Sequence, residues 1–139
     1  MQNRIQISLT IIIFLAIACH QRSLTLKPTF NKGGFTISTF QKESKTDGVV
    51  FGKVIDIQTK ELISAATIEM GCLTFKSDDL GTYKFSRNSI SKDLFLTCSY
   101  IGYRTIETER FEMKLGDSIK IDFFLIADDR PLINCEGIK

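Results

Sequence analysis

Apolar and polar residues alternate with a period of two along most of the chain after Gly48. Such alternation is typical of half-buried β-strands, and turn-forming residues such as Gly and Asp separate the runs. We predict seven short strands and no helix, with the strands at Val49–Asp56, Ala65–Met70, Thr74–Ser77, Thr82–Ser86, Asp93–Ile101, Tyr103–Phe111 and Ser118–Ile126. This pattern indicates an all-β fold, a seven-stranded antiparallel β-sandwich. A parallel α/β fold is excluded because no crossover helix fits between the strands.

The residues before Gly48 follow a different pattern. They include the pair Gly33-Gly34 and the polar run Gln41–Asp47, which indicate a flexible linker with room for one short strand at Gly34–Phe40. We therefore divide the chain into a signal peptide, a lipid-attachment cysteine with its linker, a β-sandwich domain and a C-terminal tail, at residues 1–18, 19–47, 48–127 and 128–139.

The N-terminal segment has the build of a secretory signal. Met1–Arg4 is polar with one positive charge, and Ile5–Ala18 is mostly apolar. This apolar segment is too short to cross a ~30 Å hydrocarbon core comfortably, which takes about 20 residues. The stretch from Ala16 to Cys19 resembles a bacterial lipobox, in which a small residue precedes a cysteine that receives a diacylglycerol. Lipoboxes usually carry Leu three residues before the cysteine, and Ala16 takes that place here.

Two alternatives to a lipoprotein remain at this point, a plain signal peptide cut after Ala18 and an uncleaved anchor. The shortness of the apolar segment argues against the anchor. We expect Cys19 to be the lipid-attachment site and the protein to be bound to a membrane of the cell envelope. Nothing after Cys19 distinguishes the inner from the outer membrane.

Size and charge restrict the remaining classes of function. The 139 residues correspond to about one domain, and the formal net charge is +2. No run of Lys or Arg forms a basic stripe, so nucleic acid is not expected as a partner.

Three stretches resemble a known family when taken in order. They are Gly52–Asp56 with Leu62–Ile68, then Ser77–Phe85, then Leu96–Tyr103 with its Ser-Tyr-Ile-Gly-Tyr end. Together they resemble the carboxypeptidase regulatory-like domain, a transthyretin-like (prealbumin-like) β-sandwich widespread in Bacteroidetes. The resemblance covers Gly48 to Ile126. It departs from the family at Ala65-Ala66, which replaces Gly-Ala, and at the short hairpin Gly71-Cys72.

The resemblance implies a non-catalytic module, because the zinc and catalytic residues of true carboxypeptidases lie in a separate domain. It also implies an envelope partner, since this domain often precedes TonB-dependent outer-membrane receptors. We expect the protein to act by protein–protein contact at the membrane through an exposed strand edge. The alternative is a small-ligand or glycan-binding module of an outer-membrane uptake system, for which Tyr100 and Tyr103 would form an aromatic platform.

The chemically active side chains do not combine into a site. The single histidine, His20, has no acid partner near it in sequence, so we predict no enzyme, no cofactor and no metal. Asp78-Asp79 with Asp56 could suggest calcium, but turn chemistry explains these residues better. In an oxidising compartment three cysteines are candidates for a disulfide whose pairing stays open, namely Cys72, Cys98 and Cys135.

Overall fold

The computed structural model describes residues 32–41 and 47–130 and confirms an all-β fold, with no helix in those ranges. It contains ten strands where the alternation predicts seven. In chain order they are β1 Gly34–Gln41, β2 Gly48–Asp56, β3 Thr67–Met70, β4 Leu73–Lys76, β5 Thr82–Arg87, β6 Ser91–Leu94, β7 Thr97–Ser99, β8 Ile106–Glu107, β9 Phe111–Met113 and β10 Asp117–Leu125.

The strands form three sheets. Two are four-stranded, with the orders β1-β10-β2-β5 and β4-β3-β7-β8, and β6 pairs with β9 in a small third sheet. The pairs are antiparallel except for β2 and β10, which run parallel. This pair corrects the expectation of a purely antiparallel arrangement. It needs no crossover helix because seven strands, β3 to β9, lie between the two in sequence, and all of them except β5 belong to the other two sheets.

The core lies where the alternating faces of these sheets meet. Along β2 and β10 every second residue is buried, which matches a strand with one face toward the core. Side chains from all three sheets join one hydrophobic cluster, including Val50, Phe123, Ile68, Cys98, Leu94 and Met113. At one side of the core the rings of Phe75 on β4 and Phe85 on β5 stack 4.4 Å apart.

The strand predicted at Asp93–Ile101 is divided in the structure. Its first part, β6, pairs with β9, and its second part, β7, pairs with β3 and β8. Between the two parts Leu96 bonds to Thr108 instead of to a strand ladder. The Leu96 N–H donates to Thr108 Oγ1 at 2.9 Å, and the Thr108 N–H donates to the Leu96 carbonyl at 2.9 Å. The strand predicted at Tyr103–Phe111 is likewise reduced to β8 and the start of β9, in different sheets.

β1 extends the sheet beyond the residues 48–127 expected for the domain. All eight of its residues pair with β10, from Gly34 opposite Phe124 to Gln41 opposite Asp117. The short strand allowed at Gly34–Phe40 within the linker is thus a full member of the larger fold. Its inward side chains Phe35 and Ile37 pack on the core.

The parallel ladder between β2 and β10 is interrupted at Gly52. Pairing runs from Val49 to Phe51 and resumes at Val54 in the same register. In the gap the Tyr83 hydroxyl of β5 reaches past Gly52 and donates to the Ile121 carbonyl at 2.8 Å. Beside it the Lys53 N–H donates to Asp122 Oδ1 at 3.0 Å. Side chains therefore bond one backbone donor and one backbone acceptor where the ladder is interrupted.

The two ends of the domain carry different loops, and we define each end by whether β1 starts or stops there. The proximal end is where β1 starts, opposite the end of β10 and next to Asp56 at the end of β2. It also holds the loops 57–66, 77–81 and 100–105. The distal end is where β1 stops and where β2 and β10 begin, and it holds the connection 88–90 between β5 and β6.

Candidate functional site

The candidate site residue Asp56 lies in the proximal end as the centre of a hydrogen-bond network. Its Oδ1 accepts from the N–H groups of Gln58 and Thr59 at 2.7 and 3.0 Å. Its Oδ2 accepts from the Tyr103 hydroxyl at 2.7 Å. Burial alone would raise the pKa of the Asp56 carboxyl, but these hydrogen bonds and the nearby Lys60 charge lower it below 3.8. The carboxylate therefore stabilises the turn after β2 and fixes Tyr103 to it.

The two tyrosines of the expected aromatic platform are adjacent but not equivalent. Their rings lie 5.7 Å apart. The Tyr103 hydroxyl is committed to Asp56, and this hydrogen bond, with burial, raises the pKa of Tyr103 to about 12. Tyr100 is 37% exposed. Tyr100 and Tyr103 are therefore part of the turn structure at the proximal end.

Removing the Tyr103 hydroxyl should change the acid titration of Asp56. In Tyr103→Phe the carboxylate loses a charge-assisted hydrogen bond, so we expect its pKa to rise. A carboxyl with a lowered folded pKa contributes stability above about pH 4 that is lost as the pH falls through the folded value. The variant should therefore show a weaker dependence of unfolding free energy on acid pH. Carboxyl-carbon NMR of Asp56 and urea unfolding at neutral and acid pH measure both effects.

The matched control is Tyr100→Phe, which changes the neighbouring ring and leaves the Asp56 contact in place. The Asp56 carboxyl of this variant should titrate like that of the parent protein. An unchanged Asp56 titration in Tyr103→Phe would contradict the assigned role of the hydroxyl.

Asp78 lies in the turn between β4 and β5 and behaves as turn chemistry predicts. Its Oδ1 accepts from the N–H groups of Leu80 and Thr82 at 3.0 and 2.7 Å, and its Oδ2 accepts from Thr82 Oγ1 at 2.6 Å. These bonds, led by the Thr82 hydroxyl, lower the pKa of the Asp78 carboxyl. Within the described ranges no three His, Cys, Asp or Glu side chains are grouped as metal ligands. Asp56 and Asp78 thus each serve their own turn.

The cysteines are placed in different surroundings. Cys98 is fully buried in the core, and burial raises the pKa of its thiol to about 12. Cys72 is exposed at the tip of the hairpin between β3 and β4. Both thiols are free in the structure, so they are not joined to each other. Cys19, His20 and Cys135 lie outside the described residues.

The feature best suited to contact with another protein is the free edge of β1. Among the described strands only β10 pairs with it. Every second residue of such an edge strand directs its backbone N–H and C=O away from the sheet. Native edges are usually blunted by charged side chains, proline or shortness. β1, with the sequence Gly-Phe-Thr-Ile-Ser-Thr-Phe-Gln over eight residues, has no such protection.

The other edges of the two large sheets are protected. β5 carries Lys84 and Arg87 over six residues, β4 carries Lys76 over four, and β8 has two residues, one of them Glu107. The contrast singles out β1. Sequence reasoning did not identify β1 as a site because glycines precede it and a polar run follows it, and both are typical of a linker. The alternation of Phe35 and Ile37 with Thr36 and Ser38 is the signal that could have found them.

The described residues contain no helix of the length and apolar character needed to span a bilayer.

Comparisons with known proteins do not assign this chain to a family. No family model matches the chain, so none confirms the carboxypeptidase regulatory-like domain, and no curated protein matches it. Among solved structures the chain is similar to a Bacteroides fragilis protein of unknown function that is provisionally described as membrane-associated. The identity is 13% and the TM-score 0.48. The match covers 76% of this chain and 32% of that protein, so the chain spans about a third of its length.

Proposed function

We propose that this protein is a non-catalytic module of the cell envelope, anchored by a lipid on Cys19, that binds a partner protein along the edge of β1. The observation that carries the proposal is the long, uncharged edge strand. The occupant is an extended segment of a partner protein, which would add a strand antiparallel or parallel to β1. Main-chain hydrogen bonds would supply affinity, and the flanking side chains specificity.

The rest of the proposal comes from the sequence. The lipobox-like stretch Ala16–Cys19 supports the membrane anchor, and the three family-like stretches support a transthyretin-like sandwich of the carboxypeptidase regulatory-like kind. That resemblance also suggests a partner from a TonB-dependent system. We favour protein contact over the glycan-binding alternative because the hydroxyl of Tyr103, one of the two platform residues, is committed to Asp56.

The proposal is tested by photo-crosslinking in intact cells. p-Benzoylphenylalanine replaces Phe40, which is 38% exposed at the end of β1, in the full chain. We expect a covalent adduct with another protein in the membrane fraction. The double variant Thr36→Lys/Ser38→Glu adds charge to this edge, and we expect it to lower the adduct yield about tenfold, equivalent to about 1.4 kcal/mol of binding.

The double variant is chosen to leave the fold intact. Thr36 lies opposite Asp122 and Ser38 opposite Lys120, so each new charge faces one of opposite sign. Crosslinking from Ser86, on the protected β5 edge, is the control. Equal yields from both edges, or no effect of the charges, would rule out strand addition at β1. Cys19→Ser in the same cells should lose the acyl mass and leave the membrane fraction, and a Cys19→Ser protein that stays there would refute the anchor.

A further inference from the structure

We propose that the proximal end of the domain rests on the lipid bilayer, with the side chains of Leu80 and Ile101 among the lipid headgroups. The inference rests on the proposed anchor at Cys19 and adds to it a defined orientation of the domain. It follows from where the chain joins the sheet, from which loops share that end, and from what those loops expose.

The N-terminal part of the chain joins the domain at the proximal end. Lys32 and Gly33 immediately precede β1, and Gly33 is closely packed there, because a Cβ on it would lie 2.6 Å from the Phe124 carbonyl oxygen. Lys32 follows Cys19 by thirteen residues, which reach at most about 45 Å. The nine residues of β10 span about 30 Å, so the distal end lies a strand length farther from the point where the chain from Cys19 enters the domain.

The loops at this end carry the two most exposed large apolar side chains of the described residues. Ile101, in the turn after β7, is 93% exposed, and Leu80, in the turn before β5, is 69% exposed. Tyr100 and Leu62 stand beside them and are also exposed. Leu62 lies against the Leu80 turn, since its Cβ would be 2.8 Å from a Cβ on Gly81. Apolar loop tips with an adjacent tyrosine suit the boundary between headgroups and acyl chains.

The charges around these tips favour apolar contact over attraction to anionic lipid. Arg104 pairs with Asp129, and Arg130 pairs with Asp128 at 2.5 Å, so these guanidinium groups are partly neutralised within the protein. Asp79 is an exposed carboxylate next to Leu80. We therefore assign the contact to a zwitterionic surface, where burial of the tips supplies the attraction.

The test uses the full acylated chain in dioleoylphosphatidylcholine vesicles, with p-benzoylphenylalanine at one position at a time. Ile101 is compared with Ile90, an isoleucine 59% exposed in the connection 88–90 at the distal end. After irradiation, mass spectrometry counts phospholipid adducts on the labelled peptide. We expect at least a tenfold higher lipid adduct yield from position 101 than from position 90. Leu80→Ser should lower the yield at position 101.

The outcomes separate this inference from the anchor. Protein that floats with the vesicles and gives lipid adducts at position 101 supports it. Protein that floats but gives equal or no lipid adducts at the two positions overturns the orientation and leaves the anchor intact. A protein adduct at position 101 shows that another chain covers this end and also overturns it. A chain isolated from cells without an acyl group on Cys19 refutes the anchor, and it also refutes the orientation that rests on the anchor.

Discussion

Gly52→Ala is expected to lower the free energy of unfolding by about 3 kcal/mol or more. A Cβ at this position would lie 1.6 Å from the Ile121 carbonyl oxygen and 2.6 Å from its carbon. Both are backbone atoms of the central parallel pair. They cannot move away without breaking the ladder on either side, where Phe51 pairs with Lys120 and Val54 with Phe123. The same shift would displace the Ile121 carbonyl from the Tyr83 hydroxyl.

Urea unfolding followed by circular dichroism measures the loss. The matched control is Gly71→Ala, which adds the same methyl group where nothing lies within 4 Å. That variant should lose only about 1 kcal/mol, because Gly71 has a φ of 59°, which disfavours a side chain. Equal losses in the two variants would show that the close approach at Gly52 does not limit stability.

Ser77→Ala is expected to lower the free energy of unfolding by about 2–4 kcal/mol. The buried Ser77 hydroxyl donates to the Ile63 carbonyl and accepts from the Ala66 N–H, both at 2.9 Å. Alanine leaves both buried backbone groups without this partner. The Ser77 backbone also bonds to Ala65 and Ala66, so the residue joins the loop 57–66 to the turn before β5. The loss of stability should therefore affect the proximal end first.

Urea unfolding gives the total effect, and amide hydrogen exchange locates it. We expect the Ala66 amide to exchange faster in Ser77→Ala while amides of β10 keep their relative order of protection. Ser86→Ala, at an exposed serine on β5, should stay within about 0.5 kcal/mol of the parent. Unchanged exchange at Ala66 would mean that the hydroxyl is not the partner that protects it.

The strands with one clean buried face were predictable from sequence. The predicted Val49–Asp56, Thr82–Ser86 and Ser118–Ile126 lie within one residue of β2, β5 and β10 at each end. In each, every second residue is buried, and turn residues follow. The predicted strand at Tyr103–Phe111 failed because its apolar residues serve two sheets.

Pairing and contacts across the chain were not predictable from local pattern. Alternation is the same in parallel and antiparallel strands, so it could not show that β10 inserts between β1 and β2. The hydrogen-bond network of Asp56 could not be predicted in full for the same reason, since it joins residues far apart in sequence. Asp56 and Tyr103 are 47 residues apart, and the Asp56 turn signal says nothing of the distant phenol that completes it. The turn at Asp78 was predictable because all its partners lie within four residues.

The position of β10 has a consequence for biosynthesis. β10, the last strand of the described residues, lies between β1 and β2, and β1 pairs with no other described strand. Contacts between residues so far apart in sequence form slowly, because a long loop must close first. This sheet can form in full only once the chain has been made through Leu125. A chain that ends before Asp117 would leave β1 without its partner, and a premature stop there should yield material cleared by proteolysis.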